Sequence, residues 1–229
     1  FFQAQDGIRD SVASRGLGDV YKRQSFDVVK KIRNITKHKK VGHGGTLDPF
    51  ASGVLIIGTE IDTKTLTSIS NSDKTYEAEL ELGRTTNTLD TEGSIVDEMQ
   101  IPEIKSNILE SVLNSFLGSQ RQQPPMYSAK KHKGTRLYKL ARKNIKVDRK
   151  DVDININSID LIDFNSNSIK FRVDCSKGTY VRVLGKDIAE KLGTVGYLTS
   201  LKRTKVGNYL VNDSISVESF QEKWISTEH

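Results

Sequence analysis

The chain has 229 residues, 35% apolar and 28% charged, with a formal net charge of +6. It is long enough to bury a core, and no apolar run approaches the roughly 20 residues that cross a bilayer, so a soluble globular chain is expected. One cysteine, Cys175, excludes an internal disulfide and a thiolate metal site. Its place in a strand-like run predicts a buried structural thiol, and a reducing cytoplasm fits.

Residues 1–24 show no apolar periodicity and no signal-peptide core. The string Ser14-Arg-Gly-Leu-Gly-Asp-Val-Tyr-Lys-Arg-Gln24 looks like a translated sequencing adapter, so this segment is set aside as non-native and the domain is expected from Ser25 to His229. Ser25 reads as an N-cap, followed by a helix with Phe26, Val29 and Ile32 on one face and Lys30, Lys31 and Arg33 on the other. A basic linker over 34–40 enters the Gly-rich stretch 42–53. A buried strand at 54–57 and a short helix after Thr59 come next. Over 74–82, Tyr76, Ala78, Leu80 and Leu82 alternate with three glutamates, the pattern of a half-buried strand. Residues 83–93 form a polar loop. A helix over 102–117 would bury Ile104, Ile108, Val112 and Phe116 and stop at Gly118. Helix is possible again at 134–143. Strands at 152–163 and 168–175 flank an Asn165-Ser166-Asn167 turn. A helix over 180–192 ends at Gly193, a basic strand pair follows over 197–211, and a short amphipathic helix closes the chain. Helices and strands mix without βαβ alternation. The expected class is α+β, with a mixed, mainly antiparallel central sheet flanked by helices.

Charge is unevenly placed. Residues 120–150 carry eleven Lys or Arg against one acid, Asp148, and residues 30–40 carry six bases and no acid. The rest of the chain is therefore net acidic. Two basic segments on an acidic body predict a polyanion-binding face, and Pro, Met and Tyr interleaved with the longer segment argue against a plain solvated charge run.

The stretch 42–53 holds four glycines, His43, Asp48 and Pro49. Glycine and proline together specify a tight loop, and Asp48 stands immediately before the proline. On composition alone a turn with a capping Asp is the simpler account. A phosphate-cradling loop needs Gly-Lys-Ser/Thr opening a helix, which is absent. A Ser/His/Asp triad lacks its Gly-x-Ser-x-Gly elbow. A metal site from Asp48, Asp62 and Asp90 has no close pair to support it. What remains is a lone carboxylate, usable as nucleophile or acid/base if a cation holds it ionised and placed. Arg182, in the first turn of the 180–192 helix, could supply that cation, although on residue type alone a position on the helix surface is the simpler account.

The string Lys40-Val-Gly-His-Gly-Gly-Thr-Leu-Asp-Pro-Phe-Ala-Ser-Gly-Val-Leu55 is similar to the catalytic motif of bacterial TruB-type tRNA pseudouridine-55 synthases. The resemblance continues, in family order, through Asp73-Lys-Thr-Tyr76, Gly83-Arg-Thr-Thr-Asn-Thr-Leu-Asp90, Gln123-Pro-Pro-Met-Tyr-Ser-Ala129, Leu137-Tyr138, Cys175 to Arg182, and Leu201-Lys-Arg-Thr204. It implies the pseudouridine synthase fold and an isomerase that cleaves a uridine glycosidic bond, turns the base and rejoins it through C5, with no metal or organic cofactor. By position, Asp48 is the catalytic carboxylate. Tyr76 stacks on the flipped base, and Arg182 pairs with Asp48. His43 stabilises the opened T loop, Leu201 lines the base pocket, and Asp90 supports the polar network. Residues 120–150 match the family's insertion that clamps the tRNA T arm, where Lys130, Lys131, Lys133, Arg136, Arg142 and Lys143 would meet phosphates. A free-standing cytoplasmic monomer acting on tRNA, with no protein or membrane partner, is the implied form. Two departures stand out: the family's Lys-Pro strand before Ser25 is missing, which predicts a weakened brace for the catalytic loop, and no room remains for a C-terminal PUA domain. A non-catalytic tRNA-binding or folding module is the alternative, and a metal-dependent nuclease a more distant one.

Overall fold

A computed structural model describes residues 2–4 and 23–227, so most of the adapter-like segment lies outside the described residues. The chain forms two compact units, one of residues 1–76 and 202–229 and one of residues 77–201. In the first unit the elements are β1 (Phe2–Ala4), α1 (Arg23–Thr36), β2 (Val41–His43), β3 (Ser52–Gly53), β4 (Leu55–Thr59), a 3₁₀ turn over Glu60–Lys64, and α2 (Leu66–Asn71), followed by the start of β5 (Lys74–Leu82). A three-stranded antiparallel sheet has the order β1-β4-β2. Its outer strand comes from the segment set aside above: Phe2 stands opposite Ile57 and Ala4 opposite Leu55. An extended tripeptide can fill a sheet edge because edge pairing asks only for free N–H and C=O groups.

Helix α1 begins two residues before Ser25, so Ser25 is not its N-cap. Its buried face is Ser25, Val28, Val29, Ile32 and Thr36, while Phe26 is 63% exposed. The expected face was therefore turned by about one residue. Val28 and Val29 both enter a cluster with Ile32, Val41, Leu55, Ile57 and Val217, and at 100° per residue that choice places Phe26 outside.

The second unit continues with β6 (Arg84–Thr86), β7 (Ile95–Glu98), α3 (Ser106–Asn114), β8 (Gly118–Gln122), β9 (Lys131–His132), β10 (Thr135–Arg136), α4 (Leu137–Ala141), β11 (Val152–Phe164), β12 (Ser168–Cys175), α5 (Val181–Lys191) and most of β13 (Gly196–Val206). The sheet runs β13-β5-β12-β11-β8. Alternation drives β11 and β12: Ile169, Phe171, Val173 and Cys175 are all buried on one face. Asn165 closes their turn, its side-chain oxygen accepting the N–H groups of Asn167 and Ser168. Helix α3 is shorter than expected and buries Leu109 and Leu113, with Phe116 just beyond its end, while Ile108 is 47% exposed. The buried stripe is displaced by one position because Leu109 and Leu113 take the core-facing side. Helix α5 ends as expected, with Gly193 at φ +84°.

The chain then re-enters the first unit. The end of β13 pairs with β14 (Tyr209–Leu210) and, in parallel, with β3, and α6 (Val217–Thr227) completes the fold. No described helix is long and apolar enough to cross a membrane.

Candidate active site

In the first unit, the loop between β2 and β4 presents Asp48. Asp48 and Pro49 open a tight turn in which the Asp48 carbonyl accepts the Ala51 N–H at 2.9 Å, with Pro at the position where its fixed φ suits a turn. On the other side, the Leu47 N–H donates to the buried Ser25 hydroxyl at 3.1 Å. The backbone on both flanks of Asp48 is thereby tied down. Gly44 N–H donates to Ile56 O at 2.8 Å and closes the base of the loop. Two glycines are obligatory on geometric grounds. Gly45 has φ +104°, and Gly53 has φ +106° with its α-carbon so close to β13 that a Cβ would fall on the Arg203 backbone carbonyl.

The cation under this loop is Arg203. It is 1% exposed, and its guanidinium donates to Val54 O at 2.6 and 2.8 Å, to Gly45 O at 3.3 Å and to Thr46 O at 3.4 Å. His43, half-buried at the end of β2, is held below its ordinary pKa first by burial and also by the Arg203 charge, while the Gly45 backbone works the other way. Tyr76 is half-buried on β5, next to Thr75, whose carbonyl accepts the Thr204 hydroxyl at 3.3 Å.

In the second unit, Arg182 lies in the first turn of α5 and is 3% exposed. Its Nη1 stands 3.2 Å from Asp90 Oδ2 and donates to Thr88 O at 2.7 Å, and its Nη2 donates to Tyr127 O at 2.9 Å. The surface-helix alternative is excluded. Asp90 is itself fixed: its Oδ1 accepts the Thr88 hydroxyl at 2.6 Å and the Glu92 N–H at 3.0 Å. Gln122 sets the start of α5 by bonding both the N–H and the C=O of Tyr180. Leu201, on β13, is 5% exposed.

The basic segment 120–150 lies in the same unit. Its neck is closed by two reciprocal bonds, Gln123 Nε2 to Arg149 O and Arg149 Nη1 to Pro124 O. Leu137 and Ala141 anchor α4, and Leu137 N–H donates to Lys130 O. Lys130, Lys131, Lys133, Arg136, Arg142 and Lys143 are all exposed. The described residues contain no group of three or more His, Cys, Asp or Glu placed to hold a metal.

The structure thus joins His43 and the Asp48 loop in one unit and Asp90 and Arg182 in the other. Sequence reasoning missed Arg203, Ser25 as a loop support, and the threonine hydroxyls around Asp90. The Leu201-Lys-Arg-Thr204 block was the one sequence signal pointing toward Arg203.

The mixed, mainly antiparallel sheet flanked by helices is that of the pseudouridine synthase fold. Solved structures agree: the chain superposes on a Cbf5–Nop10–Gar1 complex with a TM-score of 0.70 at 24% identity, over 90% of this chain and 52% of that one. An H/ACA RNP bound to a substrate RNA containing 2′-deoxyuridine gives 0.65 at 22% identity, over 90% and 52%. The chain spans about half the length of those chains, and at these identities the likeness concerns the fold alone. The sequence model of the TruB family pseudouridylate synthase N-terminal domain matches residues 33–181. The tRNA pseudouridine synthase B of Clostridium tetani is 46% identical over 211 residues, 91% of this chain and 73% of that protein. That of Clostridium kluyveri is 49% identical over 194 residues, 85% and 67%. The chain belongs to the TruB family of pseudouridylate synthases.

Proposed function

We propose that this chain converts uridine to pseudouridine in tRNA, at position 55 of the T loop. Family membership supports the reaction class, and the observation that carries the proposal is the loop that holds Asp48 from both flanks. The target base leaves its stack, at a cost of a few kcal/mol. Stacking on Tyr76 returns roughly 1–3 kcal/mol. Asp48 then promotes loss of the N1–C1′ bond, whether by attack at C1′ or through a glycal. The base turns, a C5–C1′ bond forms, C5 loses its proton and N1 gains one. No atom enters or leaves overall. Arg182, His43, Leu201 and Asp90 take the roles their motif positions imply, and a neutral His43 suits contact with an extruded base. The six exposed bases of the insertion bind T-arm phosphates. The enzyme would act as a cytoplasmic monomer on free tRNA, without metal or cofactor.

The test is to incubate the protein with unmodified tRNA transcript in EDTA and map pseudouridine along the RNA. Product confined to the T loop is expected. Tight tRNA binding without product would instead support the non-catalytic module.

A further inference from the structure

Arg203 is the largest fully buried side chain among the described residues, and no described carboxylate pairs with it. A buried charge without a counter-ion is costly unless its hydrogen bonds compensate it. Here all of them go to main-chain oxygens of one loop. Two acceptors, Gly45 O and Thr46 O, lie three and two residues before Asp48, and the third, Val54 O, lies six residues after it. The attachment runs both ways, because Val54 N–H donates to Arg203 O at 2.9 Å. Lys202 and Arg203 also pair in parallel with Ser52 and Gly53.

We infer that Arg203 is a positioning residue of the reaction: its planar guanidinium ties the two arms of the Asp48 loop to β13 and so sets where the Asp48 carboxylate stands. The inference rests on Asp48 being the reacting carboxylate. A guanidinium suits the task because its several donors leave one plane in fixed directions and span carbonyls that a single ammonium cannot reach together. The backbone pairing of β3 with β13 fixes only the later arm. The earlier arm, 45–46, is tied to β13 through this side chain. Loss of the clamp would leave three carbonyls, those of Gly45, Thr46 and Val54, without this donor and let Asp48 drift, and a displacement near 1 Å can cost about 10²-fold in rate.

The experiment compares Arg203→Lys, Arg203→Gln, Asp48→Asn and the unaltered chain under single-turnover and steady-state conditions on unmodified tRNA. Imidazole NMR of His43 is read in parallel, its signal assigned through His43→Gln. Arg203→Lys keeps the charge and loses the fork. It should fold, bind tRNA within about threefold of the parent and lose about 10²-fold in kcat. His43 should titrate as in the parent in the Lys variant and higher in Arg203→Gln, where the cation is gone. If Arg203→Gln does not fold, the Lys variant decides alone. A Lys variant with parental kcat, or one whose activity falls only in proportion to its folded fraction, overturns the inference. Full activity in Asp48→Asn would instead strike the reading on which it rests, and that result is independent of Arg203.

Discussion

The guanidinium of Arg182 and the carboxylate of Asp90 face each other at 3.2 Å with side chains only 4% and 2% exposed. Neither charge has water to fall back on. Breaking a buried pair by removing one partner costs about 3–5 kcal/mol. Asp90→Ala should lower unfolding stability by that amount in urea. The double variant Asp90→Ala/Arg182→Met should cost clearly less than the two single variants combined, since the two groups face each other directly. Strict additivity would show that the pair is not coupled.

The phase of α1 predicts a contrast between two apolar residues of the same helix. Ile32 is fully buried and Phe26 is 63% exposed. Ile32→Ala should therefore cost about 2–5 kcal/mol, and Phe26→Ala should stay within about 0.5 kcal/mol. A thermal melt of each variant checks this. Equal losses would mean that α1 packs as the sequence periodicity first suggested.

Legibility in the sequence followed the range of the interactions. The β11–β12 hairpin could be read because alternation and an Asn turn are local, and α5 because Gly193 stops it. The Asp48 loop announced itself through glycine and proline. Arg203 could not be read this way. Between Lys202 and Lys205 it looks like one more surface base, and its burial depends on the Val54 carbonyl, 149 residues earlier in the chain. Asp90 looked like part of a polar loop for a similar reason, since the guanidinium it faces, Arg182, comes from a helix far along the chain. The phases of α1 and α3 were misjudged because several apolar residues on each helix compete for one face, and packing chooses among them.

His43 predicts a pH dependence. Its folded-state pKa lies below 6.5, chiefly from burial. As pH falls below 6.5 the unfolded chain takes up this proton first, so stability is lost until the folded-state value is passed. His43→Gln cannot titrate. Its melting temperature should fall less than that of the parent between pH 8 and pH 5.5, and an equally steep fall would contradict neutral burial of His43.

The insertion predicts a salt dependence. Each Lys or Arg contact to a duplex phosphate contributes about 0.9 to the slope of log K against log salt. Lys130→Ala/Arg142→Ala should reduce the slope for tRNA binding by about 2, with kcat at saturating tRNA unchanged. An unaltered slope would remove these two residues from the RNA contact.

The central claim is that the carboxylate held between Leu47 and Ala51 carries the chemistry. The direct measurement is pseudouridine formation at position 55 of unmodified tRNA by Asp48→Asn and the parent chain, in EDTA, under single-turnover conditions with tRNA binding measured alongside. The account predicts product with the parent, none with Asp48→Asn, and the same affinity for both. Product at the parental rate from Asp48→Asn would contradict it.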